Sequence, residues 1–124
     1  MGTKNFGLQE FTCPCCGKNE AKLELLYALQ RARDYLDKND SISITSGYRC
    51  PPYNQSLGAE HTSSHVKGLA ADLDITDGGK AFRIVQAIMK TNAFNRIGFG
   101  KVGGKLVMHV DVDDSKVQEW LWGY

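Results

Sequence analysis

Apolar residues recur at two different periods along this chain. Between Glu20 and Lys38, the residues Leu23, Leu26, Tyr27, Leu29, Ala32 and Leu36 fall mainly at three- and four-residue steps. Charged residues fill much of the remainder, so the segment predicts an amphipathic helix. Asn39 and Asp40 end it. From Ser41 to Ser46 polar and apolar residues alternate, which predicts a half-buried strand with Ile42 and Ile44 inward and Gly47 closing it. Leu69 to Ile75 reads as a short strand, followed by a turn at Asp77, Gly78 and Gly79. Lys80 to Thr91 returns to the helical period, with Ala81, Ile84, Val85, Ile88 and Met89 on one face. Two more strands, from Ile97 to Gly100 and from Leu106 to Val112, flank a hairpin-type turn at Gly103 and Gly104.

Two stretches lack either period. Phe6 to Gly17 reads as an irregular lead-in broken by Pro14 and Gly17. Tyr48 to Ser64 is polar and rich in turn residues. A stretch that long without regular structure in a compact domain points to function. The tail from Val117 to Tyr124 is aromatic and is expected to pack on the core. The element order gives an α+β fold, with a small antiparallel-rich sheet flanked by helices.

With 124 residues, the chain suits one domain spanning 1–124, of which 1–19 form the lead-in. A formal net charge of +1, with acids and bases interspersed, gives no electrostatic case for a nucleic-acid partner. No apolar run approaches the ~20 residues of a membrane span. The first residues show no apolar signal segment, so a cytoplasmic product is expected, reaching any outside target by export or lysis. Oligomeric state is not readable from the sequence.

Of four cysteines, Cys13, Cys15 and Cys16 crowd together and Cys50 stands apart. A zinc ribbon normally shows two CxxC pairs. One knuckle plus a lone cysteine departs from that pattern, so reduced thiols or a disulfide staple are expected here ahead of a second metal.

The chain has three histidines, His61, His65 and His109. His65 lies in the polar stretch before a strand, and Asp72 follows it seven residues later. His109 lies inside a β-branched strand, where alternation puts it on one face with Asp111. Two imidazoles and one carboxylate match the three protein ligands of a catalytic zinc site, which leaves a fourth position open. The same residues would equally serve as core or surface histidines and a solvated aspartate, and spacing alone does not decide between these readings.

The segment from Ser63 to Asp72 reads Ser-Ser-His-Val-Lys-Gly-Leu-Ala-Ala-Asp. It matches a Ser-x-His-x-x-Gly-x-Ala-x-Asp pattern at every fixed position and resembles the zinc D-Ala-D-Ala carboxypeptidase family. That family includes D,D-dipeptidases of vancomycin resistance and phage endolysins cutting L-Ala-D-Glu bonds, and it shares its metal fold with the Hedgehog domain. Ser46-Gly47-Tyr48-Arg49 and His109-Val110-Asp111 resemble two further family segments. The lead-in from Phe11 to Gly17 resembles short phage and prophage members.

The resemblance implies a zinc peptidase acting on peptidoglycan stem peptides. It implies His65, Asp72 and His109 as zinc ligands, and Arg49 and Ser63 as substrate-binding residues. Many relatives carry an acid three residues before the third ligand, where this chain has Leu106. Asp111 is then the expected catalytic carboxylate, either moving a proton or holding an imidazole in its tautomer. Asp74, Glu60 and His61 are further candidates, and His61 as a fourth ligand would close the site. The missing acid also motivates an alternative, a non-catalytic zinc domain with a binding or structural role. A cysteine-stapled domain without metal is the third reading.

Overall fold

The computed structural model describes residues 2–59 and 63–124. Its frame is a five-stranded sheet in the order β1-β2-β4-β3-β5. The strands are β1 (Ile44–Ser46), β2 (Ala70–Asp74), β3 (Arg96–Val102), β4 (Lys105–Asp111) and β5 (Trp120–Gly123). All pairings are antiparallel except β3 with β5, which is parallel. The helices are α1 (Leu23–Asp34), α2 (Pro51–Ser56) and α3 (Gly78–Thr91). The architecture is the α+β class that the hydrophobic pattern predicts.

One sheet face is apolar. Ala71, Leu73, Met108, Val110 and Ile97 point from the strands onto Leu25, Leu26 and Leu29 of α1 and Ile84 and Ile88 of α3. Each fully buried Leu, Ile or Met contributes about 1.5–3 kcal/mol of transfer free energy. Ile42 belongs to this core and Ile44 packs against it, as the alternation predicts. Met89 does not: it is 59% exposed. The buried face of α3 instead runs Ile84, Ala87, Ile88, Thr91, spaced i, i+3, i+4 and i+7, and Met89 falls outside that stripe. Asp77 caps this helix by accepting the Lys80 N–H.

Three further departures have local causes. The first helix starts at Leu23, three residues later than predicted, because the chain before it is extended and bound elsewhere. The Lys22 N–H donates to Gly68 O, and a Cβ on Gly68 would overlap Glu20 O. Second, the stretch predicted as wholly irregular contains α2. Its Pro51 and Pro52 read as turn residues, yet proline suits the first helical turn, where no N–H is needed. Third, the aromatic tail forms an edge strand instead of joining the core, leaving Trp120 and Leu121 exposed.

Candidate metal centre

The opposite face of the same sheet is polar. Asp72, His109, Gly98 and Trp122 lie in one row across β2, β4, β3 and β5. Over this row folds the turn that carries His65. It is closed by Val66 N–H to Ser63 O, Gly68 N–H to His65 O and Leu69 N–H to Ser64 O. Gly68 sits there at φ +73°, a region that favours glycine.

The three predicted ligand side chains converge. One nitrogen of each imidazole and one oxygen of Asp72 lie within 4.8 Å of one another. His65 Nε2 and His109 Nδ1 each stand 3.3 Å from Asp72 Oδ1. A tetrahedral site with bonds of about 2.0–2.1 Å to N and O has edges of about 3.3–3.4 Å, so this separation fits zinc. The remaining nitrogen of each ring is also engaged. His65 Nδ1 meets Gly47 O at 2.8 Å, and His109 Nε2 meets Asp111 Oδ2 at 2.8 Å. Such outer partners fix the tautomer, leaving His65 Nε2 and His109 Nδ1 free to ligate.

Charge is arranged to match. Burial works against an ionised Asp72, but the bonds from His109 and His65 hold its carboxyl far below the ordinary range. Burial pushes His65 down as well, favouring the neutral imidazole. Burial would lower His109 too, yet Asp111 and Asp72 on its two sides raise it.

A family model described as Peptidase M15 matches residues 4–111. The chain belongs to the Peptidase M15 family. No curated protein sequence matches it. M15 peptidases are zinc-dependent metallopeptidases, so both the chemistry of the donor set and the family point to the same ion.

The other predicted residues of this M15 peptidase are placed as follows. Arg49 lines the site, with its guanidinium on Asp72 Oδ2 at 3.0 Å, Ser46 Oγ at 3.1 Å and Asn54 Oδ1 at 3.4 Å. Ser63 lines the same cleft and its Oγ accepts the His65 N–H. Asp111 is buried, bonded to His109, paired with Arg96 Nε at 3.1 Å, and accepts the Asp113 N–H. Asp74 is occupied by the N–H and hydroxyl of Thr76. Glu60 and His61 lie outside the described residues. Leu106 is 44% exposed, on the rim beside Asp72.

Three site residues escaped the sequence reading. Asp113 accepts from the Ser64 hydroxyl at 2.7 Å and Lys67 Nζ at 3.1 Å, tying down the turn that carries His65. The strand alternation His-Val-Asp-Val-Asp already put Asp113 in phase with His109. Trp122 lies 5.3 Å from His109, ring to ring, with the Arg96 guanidinium 5.1 Å over its face. Burial and the Asp72 carboxylate push the Tyr124 phenol up to about 12. Gly98 and Gly100 make room for these two rings, since a Cβ at either would overlap Trp122 or Tyr124. The aromatic tail was visible in the sequence, but its pairing partner was not.

Proposed function

We propose that this chain hydrolyses peptide bonds of peptidoglycan stem peptides, as a D-Ala-D-Ala carboxypeptidase or an L-Ala-D-Glu endopeptidase, with zinc held by His65, Asp72 and His109. The convergence of those three donors at the base of a cleft of about 860 Å³ carries the reading. When bound, zinc supplies Lewis-acid polarisation of a peptide carbonyl and an activated water at neutral pH. The cleft is lined by Arg49, Arg96, Lys101 and Lys116, against the carboxylates of Asp72 and Asp111 among the described residues. That surplus of cations suits a peptide bearing free carboxylates, as stem peptides do.

Each residue has a role in this reading. Arg49 spends one N–H on Asp72 Oδ2, turning Oδ1 toward the imidazoles, and two more on Ser46 and Asn54, which leaves two N–H groups to offer a substrate carboxylate. Ser63 steadies the His65 turn and presents a hydroxyl to the cleft. Asp111 acts as a positioning residue: both its oxygens are committed, and it holds the proton on His109 Nε2. Trp122 and Tyr124 wall the cleft on its β5 side.

The test is digestion of purified peptidoglycan with the zinc-loaded chain, with and without chelator, followed by analysis of released D-Ala and stem fragments. Chelator-sensitive release is expected. A chain that retains zinc and cleaves no muropeptide would instead be the non-catalytic zinc domain that Leu106 motivates.

A further inference from the structure

Away from the cleft, a second group of donors converges. The Sγ atoms of Cys13, Cys16 and Cys50 all lie within 4.8 Å of one another. Cys13 and Cys50 are buried, Cys16 is exposed, and all are free thiols. They bring together two segments far apart in sequence, the lead-in and the residues just before α2.

The backbone around these sulfurs is shaped for ligation. Cys13 and Cys16 form a Cys-x-x-Cys-Gly knuckle. It is closed by Gly17 N–H to Cys13 O at 2.9 Å and Cys13 N–H to Lys18 O at 2.8 Å. Gly17 occupies φ +73°. Two backbone N–H groups point at sulfur: Lys18 N–H to Cys16 Sγ and Cys50 N–H to Cys13 Sγ, each at 3.4 Å. Donors aimed at sulfur favour the thiolate, the form that binds metal.

Spacing along the chain favours thiols or a disulfide because only one CxxC pair is visible. In space, Cys50 completes that pair's missing side. A disulfide would use two sulfurs and leave the third stranded. Three sulfurs gathered within 4.8 Å need move little to form a tetrahedral thiolate site, whose edges are about 3.8 Å for bonds of about 2.3 Å. Soft thiolates select zinc over the hard divalent cations.

We infer that Cys13, Cys16 and Cys50 bind a second, structural zinc ion that clasps the lead-in to the segment carrying Arg49. Cys15, exposed and next to Cys16 in the chain, is the remaining thiol for the fourth position. The clasp bears directly on the cleft. Cys50 follows Arg49, the Tyr48 N–H donates to Phe11 O at 2.9 Å, and Gly47 O is the acceptor that orients His65. Binding releases the thiol protons to solvent, so occupancy falls as pH is lowered.

The test is a zinc count on the full chain after dialysis against metal-free buffer. Two ions per chain are expected for the wild type. His109→Ala and Cys16→Ser should each retain one. Cobalt-loaded His109→Ala should show a thiolate-to-metal charge-transfer band that Cys16→Ser lacks. Should Cys16→Ser fail to fold, titrating the folded His109→Ala chain with a mercurial reagent should release its zinc in step with thiol modification. An unchanged count in Cys16→Ser, thiols that react without releasing zinc, or two of the four thiols missing under non-reducing denaturing conditions would overturn the inference. None of these readouts depends on peptide cleavage, so failure of the proposed activity is a separate result.

Discussion

Met108 and His109 are neighbours on β4, and their side chains leave the sheet on opposite faces. Met108 is fully buried among α1, α3 and the apolar strand residues. Among the described residues, His109 bonds Asp72 and Asp111 and sets its ring against those of His65 and Trp122. One strand therefore builds the core with alternate residues and the candidate metal centre with the others. The apolar face is held by many small, interchangeable contacts. The polar face is held by a few directional bonds, each tied to one atom. The first should tolerate change in proportion to volume lost, and the second should fail selectively.

The largest effect expected is on the polar face. His109→Ala should lower peptidase activity by roughly a thousandfold, about 4 kcal/mol, because it removes a proposed ligand of the ion supplying the Lewis acid. Its cooperative thermal unfolding should remain. Met108→Ala should do the reverse, costing about 3 kcal/mol of stability through cavity formation while zinc per folded chain stays unchanged. Paired measurements of unfolding and metal content check both. If both variants lose stability and zinc together, the two faces are not separable.

The apolar face was also the more legible in the sequence. Periodicity depends only on near neighbours, so Leu26, Leu29, Ile84, Ile88 and the strand alternation of β4 could be read directly. Met89 misled because a short helix accommodates more than one apolar stripe, and only packing against α1 selects one. On the polar face, the segment from Ser63 to Asp72 was informative because it resembles a family pattern at every fixed position, which spacing by itself did not decide. What could not be read was which distant partner each side chain meets. Arg49 was visible as a cation, but its bond to Asp72 joins residues 23 positions apart. Trp122 was visible as an aromatic, but its place beside His109 depends on the parallel pairing of β5 with β3. A staple tying the N-terminal cysteines to Cys50 was readable, but which three sulfurs meet was not, for the same reason.

A finer cut within the polar face separates holding an imidazole from moving a proton. Asp111→Asn should weaken zinc affinity by about 10–100-fold, the usual loss when the outer partner of a ligating histidine is removed. Excess zinc should then restore most of the turnover. A general base at this position would instead give a lower kcat that zinc does not rescue. Titrating activity against free zinc in the variant distinguishes the two.

The smallest effect probes the tie between the faces' shared end and the His65 turn. Asp113 is 1% exposed, and burial alone would raise its carboxyl. Bonds from Ser115, Ser64 and Lys67 hold it well below its ordinary value of 3.8. Because the folded value lies under the unfolded one, the unfolded chain takes up this proton first as pH falls. The carboxylate's stabilisation is therefore fully present well above 3.8 and is lost as pH drops below it. Asp113→Asn keeps the shape but forfeits the charge, so it should cost about 1.5 kcal/mol at pH 7. The gap to the wild type should begin to narrow as pH falls below about 4 and go on narrowing into stronger acid. Urea unfolding of both chains across that range measures the difference directly, and comparing them at each pH removes the contribution of metal loss common to both. A gap that persists unchanged into acid would mean that Asp113 contributes packing alone, and the Ser64 and Lys67 bonds would then do nothing to hold His65 over Asp72.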